Sequence, residues 1–550
     1  MEQKISSFAR LWSLVRLDKK DITTVYFYAV LNGIIQLSLP LGIQAIIGFV
    51  LGGSVSASLV LLISLVVLGV LFNGLLQINQ MKVIERIQQH IFVRYAYSFA
   101  ERIPRLDMKS VDGYYLPELV NRFFETPTMQ KSFAKLLLDL PTAMIQIIFG
   151  LLLLAFYHQA FILFGLVLIL VLWLILRLTS SRGMETSLEE SRYKYALVAW
   201  FEEMARVIKT FKFSQTTGIH MRKADQRTMG YLDARKDHFA VLLMQYRALV
   251  GFKVLITAAM LIVGSLLLVN QQINIGQFIA SEIIILTVIA SVEKIIINLD
   301  SLYDVMTSAE KIAKLIEKPL EHNGTMPMQA GQPIGIEAQS VTFGYNGHPI
   351  LHNLSFRIAP GQKVCITGEN GAGKSTLLRL LSGAYSQFDG SVLVNGVPIF
   401  NYNLDSYRAH SSILLHHEDV FQATLHDNLT MGRADVDTAY LNELVAKVGL
   451  TPFLASLDKG YDTELDPAGK RLPRNVVQKI QLVRALLIKP GLLLLEEPWQ
   501  GVEAPYRQQI QDLLLHELKN TTVLVSSADP HFAQQCDGVI DLTANTRRGR

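Results

Sequence analysis

The sequence predicts two domains of different class: an all-helical membrane domain of six spans, followed by an α/β domain built around a phosphate-binding loop. Two observations predict this. Apolar runs of near-bilayer length crowd the first 300 residues, at about 22–50, 55–79, 139–157, 160–178, 243–269 and 276–300. Further on, Gly368, Glu369, Asn370, Gly371, Ala372, Gly373, Lys374, Ser375 and Thr376 fit G-x-x-x-x-G-K-[ST] between a strand-like run at 363–367 and a leucine-rich helical run at 377–381.

Half of the 550 residues are hydrophobic. Buried core helices would be shorter than these runs and would carry more charge than the first four do. The first run follows a charged tail and lacks a small-residue cleavage site, which argues against a signal peptide. Basic residues set the orientation. Lys4, Arg10, Arg16, Lys19 and Lys20 precede the first span, and the long connections at 80–138 and 179–242 are rich in Lys and Arg. The short loops between spans carry no charge. The positive-inside rule then places the tail, both long loops and everything after residue 300 in the cytoplasm.

Those loops account for the net charge of +4 without a nucleic-acid partner, and no basic-aromatic stripe of the nucleic-acid type occurs. Cys365 and Cys536 lie far apart in sequence, both on the cytoplasmic side, and read as ordinary thiols with no metal-ligand spacing. Domain limits follow the pattern: 1–321 for the membrane domain, 322–333 as linker, 334–550 for the α/β domain. The last is large enough for a core of its own.

The loop is predicted to bind a nucleotide. Its glycines let successive N–H groups close on phosphate oxygens at a helix N-terminus. Lys374 can reach the β- and γ-phosphates, and the Ser375 hydroxyl can ligate Mg²⁺. The apolar run 492–495 reads as a buried strand ending in Glu496 and Glu497, a pair suited to holding Mg²⁺ and orienting an attacking water. Tyr345, ahead of the loop, is a candidate to stack on the base.

Six spans with long helical cytoplasmic loops and a P-loop domain resemble an ATP-binding-cassette exporter half-transporter, over nearly the whole chain. The likeness is strongest to the bacterial type I protein-secretion and bacteriocin exporters. VTFGY with Tyr345 resembles the family's adenine-stacking loop. ATLHDNL at 423–429, GYDTEL at 460–465 and RALL at 484–487 resemble stretches after the Gln-loop and around the signature. The resemblance implies ATP and Mg²⁺ as cofactors, 368–376 and Tyr345 as the nucleotide site, Ser375 and Glu496 at the metal, and Glu497 as catalytic glutamate. It also implies a multi-pass protein of the inner (cytoplasmic) membrane with both termini in the cytoplasm.

The chain departs from the family at five places. Glu496 stands where the family has Asp. The Gln-loop position falls on His416, whose nitrogen suits so hard a cation poorly. The signature LSGGQ aligns with Leu472, Pro473, Arg474, Asn475 and Val476. The switch histidine falls on Ser527 or Ala528, with His531 out of register, and the D-loop position falls on Glu503. Nucleotide-binding residues are kept while those that let a sandwiched dimer hydrolyse it are lost. A heterodimer with an intact half-transporter, this chain binding ATP and hydrolysing weakly, is therefore favoured over a slow homodimer or an ATP-gated regulator. Peptide or protein export through a periplasmic adaptor leads, and export of lipid or small amphipathic molecules stays open.

Coupling segments are expected near 114–124 and 206–213, where Tyr115, Phe123, Phe124 and Phe211 either enter a groove on the nucleotide domain or pack within their own bundle. Within the spans, Glu282 is the clearest candidate for a site on the substrate path, while Gln36, Gln44 and Asn73 are milder candidates for which interhelical hydrogen bonding is the favoured role.

Overall fold

The computed structural model describes residues 7–52, 57–214, 217–329, 331–345, 348–416, 420–466 and 472–543. The chain forms two compact units: Met1–Pro104 with Tyr114–Lys318, and Arg105–Gly113 with Pro319–Arg550.

Among the described residues, the first unit carries six helices long and apolar enough to cross a membrane: Lys19–Leu51, Ala57–Arg105, Leu116–Tyr157, Ala160–Arg206, Ile219–Val269 and Ile275–Ile316. Most outrun the apolar runs because the long connections continue the same helices, as in Ala57–Arg102, Ala160–Arg206 and Ile219–Val269. The first is interrupted at Leu37, just ahead of Pro40, where the helix Lys19–Gln36 gives way to Ser38–Leu51. Proline cannot donate to the preceding turn, which accounts for the break.

Small residues let these helices approach closely. A Cβ on Gly33 would lie 2.2 Å from the Ile145 side chain, and one on Gly150 would lie 2.7 Å from Val288. Several polar residues inside the spans pair with one another. The Gln146 amide donates to Gln36, Ser291 Oγ donates to Gln146 Oε1 at 2.7 Å, and Tyr157 OH donates to Gln44 at 2.6 Å. Glu282 has one carboxylate oxygen buried without a hydrogen-bond partner among the described residues.

The expected alternatives for the loop aromatics resolve differently from residue to residue. Phe123 packs edge-on against Phe92 and Phe99, and Phe211 against Trp200 and His220, all within this unit. Phe124 and Tyr115 are exposed. The part of the first long loop that belongs to the second unit is Arg105–Gly113, ahead of the expected 114–124. There Lys109 Nζ donates to Gln387 at 3.1 Å, and Tyr385 OH donates to Asp112 at 3.3 Å.

The second unit holds nine strands among its described residues: β1 Ile336–Tyr345, β2 His348–Ile358, β3 Lys363–Thr367, β4 Asp389–Val394, β5 Val397–Pro398, β6 Ser411–Leu414, β7 Leu492–Glu496, β8 Thr522–Ser526 and β9 Gly538–Asp541. A four-stranded antiparallel sheet has the order β2-β1-β4-β5, and a five-stranded parallel sheet the order β6-β7-β8-β3-β9. The inner parallel strands have apolar middles, as strands covered on both faces must, with β7 the clearest case. Leu492, Leu493, Leu494 and Leu495 are fully buried. Cys365 and Cys536, distant in sequence, join the same core as free thiols.

Candidate functional site

The parallel sheet brings the candidate residues to one edge. β3, β7 and β8 run side by side in the same direction, with Glu496 paired to Ser526 in the last register position. Their carboxyl ends therefore open on a common crevice, the usual place for a ligand in such sheets. The loop 368–373 leaves β3 there and enters the helix Lys374–Leu381.

Gly373 at φ +94° occupies the left-handed region that side chains avoid. A Cβ there would also meet Leu351 at 2.8 Å and Ile350 at 2.9 Å. The loop can thus be tight enough to turn its amides inward only with glycine at this point. Lys374 Nζ lies across the loop, donating to the Gly368 carbonyl at 2.7 Å and the Glu369 carbonyl at 3.1 Å. This geometry fits a triphosphate: amide donors at a helix start, and one ammonium already held over them. Gly373→Ala is expected to lower nucleotide affinity at least about tenfold, since strain and clash fall on the loop that must close. Nucleotide titration of the folded variant checks this.

Tyr345 closes β1 beside the same helix. Its ring packs edge-on to Phe343 and Tyr385, and its hydroxyl stands 3.5 Å from Thr376 Oγ1 and 3.3 Å from Tyr385 OH. The aromatic cluster fixes the ring at the loop's flank.

Glu496 and Glu497 have different surroundings. Ser375 Oγ donates to Glu496 Oε1, and Glu496 Oε2 accepts the His416 N–H at 3.1 Å. Glu497 has φ +43°, an unusual conformation for a side-chain-bearing residue. Two bonds hold it: its N–H donates to Ser526 O at 2.9 Å, and its Oε1 accepts the Ala528 N–H at 3.1 Å. Burial keeps its carboxyl above the usual carboxylate range, which suits a group that must take up a proton.

At 527–528, where the switch histidine was expected, the group that meets the Glu497 carboxylate is the Ala528 amide. Ser527 is buried, with its Oγ accepting the Asp529 N–H at 3.1 Å, and His531 is exposed on the helix Pro530–Gln535.

The stretch 472–476, expected to align with the signature, leads into the helix Arg474–Leu487, with Pro473 as its cap residue. Its side chains are engaged within the chain. Arg474 Nη2 donates to His416 Nε2 at 2.9 Å, and Asn475 Nδ2 donates to Glu503 Oε1 at 3.0 Å. Lys479, buried one turn further on, donates to Glu503 Oε2 at 2.6 Å and to the Gly449 carbonyl at 3.0 Å. The Lys479 ammonium holds the Glu503 carboxyl below its usual range. Sequence reasoning singled out Asn475 and Glu503 separately and missed Lys479. The available signal was a lysine on the buried face of an amphipathic helix, which requires a partner.

Mg²⁺ takes oxygen ligands in strict octahedral geometry. Here the Ser375 hydroxyl is bonded to Glu496, both Glu496 oxygens accept protein hydrogen bonds, and His416 offers nitrogen, turned toward a guanidinium. The hydroxyl keeps its lone pairs and the carboxylate further acceptor sites, so Ser375 and Glu496 still fit the ion, and the misfit lies at His416, a nitrogen where a hard oxygen is needed. Among the described residues, no group of three or more His, Cys, Asp or Glu side chains could hold a metal ion.

Comparison with known proteins agrees with this architecture. Residues 22–292 match the ABC transporter transmembrane region, and residues 351–500 match the ABC transporter model. The chain belongs to the ABC transporter family and has the make-up of an exporter half-transporter, a multi-pass membrane protein whose cassette implies ATP binding. Over 309 residues it is 28% identical to an ATP-dependent lipid A-core flippase of Burkholderia orbicola (strain AU 1054), covering 55% of this chain and 50% of that protein. Over 223 residues it is 29% identical to a putative export ATP-binding/permease protein of Rickettsia felis (strain ATCC VR-1525 / URRWXCal2), covering 40% of this chain and 39% of that protein. These matches span half or less of the curated relatives' length. A bacterial Atm1-family ABC exporter solved with ATP bound shares the fold, with a TM-score of 0.84 at 19% identity, covering 96% of this chain and 94% of that one.

Proposed function

We propose that this chain is the weakly hydrolysing half of an ATP-driven export dimer in the inner membrane, with both termini in the cytoplasm. It binds ATP at 368–376 with Tyr345 at the base, keeps Glu497 as its candidate general base, and pairs with a different half-transporter that carries an intact LSGGQ. Peptide or protein is the favoured cargo, passed to a periplasmic adaptor.

The observation that carries the reading is the signature turn. A turn that reads a partner's γ-phosphate needs open backbone amides and small residues. Here Pro473 has no N–H to give, and the Arg474 and Asn475 side chains are bonded to His416 and Glu503 of their own chain. With the switch position filled by Ser527 and Ala528, little remains to assemble a fast hydrolytic site. One comparison favours a second cargo, lipid, because a relative that aligns over 309 residues is a lipid A-core flippase.

Affinity purification from the native membrane tests the assembly. Co-purification of a second half-transporter with an intact signature is expected, and recovery of this chain as a homodimer alone would overturn the heterodimer. Within the assembly, Glu497→Gln is expected to lower total ATPase activity less than the same change at the partner's glutamate. Loss of all turnover on Glu497→Gln would make this site the main engine.

A further inference from the structure

A bound triphosphate ordinarily brings Mg²⁺ with it, and the protein helps by leaving hard oxygen donors open to the ion and its waters. Three groups of this chain surround that place, and each is altered or engaged. Glu496 ends β7 with a side chain one methylene longer than Asp, long enough to accept the Ser375 hydroxyl directly while its other oxygen takes the His416 N–H. His416 brings an imidazole where an amide oxygen would serve. Its Nε2 accepts from Arg474 Nη2 at 2.9 Å, so a permanent positive charge stands beside the position from which a metal ligand would act. Lys374, by contrast, is held over the loop by two carbonyls and needs no metal to meet a phosphate.

We propose that the P-loop of this chain binds nucleoside triphosphate almost independently of Mg²⁺, because Glu496 is lengthened and drawn onto Ser375 and the His416 imidazole, held by Arg474, stands where a hard oxygen ligand would act. The proposal rests on the reading of 368–376 as a triphosphate site. It also gives that reading a cause for slow turnover, because a triphosphate held without the ion lacks the charge neutralisation that phosphoryl transfer requires.

The test is photolabelling of the full chain in native membranes with 8-azido-ATP in the cold, read on this chain's own band, with Mg²⁺ or with excess EDTA. The apparent affinity is expected to change less than about threefold between the two, whereas the doubly substituted Glu496→Asp, His416→Gln chain should gain about tenfold or more from Mg²⁺. Loss of wild-type labelling in EDTA would overturn the proposal. A double variant as insensitive as wild type would overturn the assignment to these residues. Should the double variant not accumulate, Glu496→Asp alone and the wild-type titration decide. Absence of labelling under both conditions, or labelling untouched by Lys374→Ala, would instead sink the triphosphate site itself.

Discussion

Replacing Lys374 with alanine is expected to abolish nucleotide labelling of this chain at concentrations that saturate the wild type. The ammonium is held in place by two backbone carbonyls of its own loop, Gly368 at 2.7 Å and Glu369 at 3.1 Å. A triphosphate would exchange those neutral acceptors for anionic oxygens, so that donor and acceptor are both ionised and the bonds strengthen further. At about 1.5–3 kcal/mol for each such bond, loss of two predicts an affinity drop of about a hundredfold or more. Stability should change little, since the side chain is only partly buried and its partners are carbonyls that water can serve. Lys374→Arg keeps the charge but spreads it over a planar fork that the tight loop does not accommodate. It is expected to recover only part of the affinity. An alanine variant with wild-type labelling would remove the loop from nucleotide binding altogether.

The architecture was legible because its causes are local. Span length and absence of charge mark the six helices, and the glycine loop between a buried strand and a helix fixes where β3 ends. The run 492–495 could be read as a central strand because strands covered on both faces leave no polar alternation. Long-range pairings were less accessible. Nothing local says that 105–113 packs with the second unit, since Lys109 finds Gln387 across 278 positions and Asp112 finds Tyr385 across 273. Phe123 and Phe211 carry the same apolar character whether they face a groove or their own bundle, so only the fold distinguishes the two. The stretch 472–476 stood out in the sequence as a departure from the expected LSGGQ, but a one-dimensional pattern does not say what its side chains touch. The pairing of Arg474 with His416, and of Asn475 and Lys479 with Glu503, becomes apparent only in three dimensions.

That network yields the second large expected effect. Lys479 is almost wholly buried, its side chain 5% exposed, and its ammonium has Glu503 at 2.6 Å and the Gly449 carbonyl at 3.0 Å. Glu503→Ala leaves the buried charge with one neutral acceptor. Breaking such a pair from one side typically costs about 3–5 kcal/mol. Glu503 is half-exposed, so water can partly replace it, and a cost of about 2–3 kcal/mol is expected. For a unit of this size that lowers the unfolding midpoint by about 4–12 °C. Lys479→Met removes the charge and keeps the volume, and should be close to neutral for stability, because desolvation of the ion no longer has to be offset. The double substitution should then recover most of what Glu503→Ala loses. Thermal unfolding of the solubilised chain, followed at the transition that nucleotide shifts, measures all three. If Lys479→Met were as damaging as Glu503→Ala, the pair would be a net stabiliser, and the Glu503 carboxylate would be holding the signature helix in place by more than satisfying a buried ion.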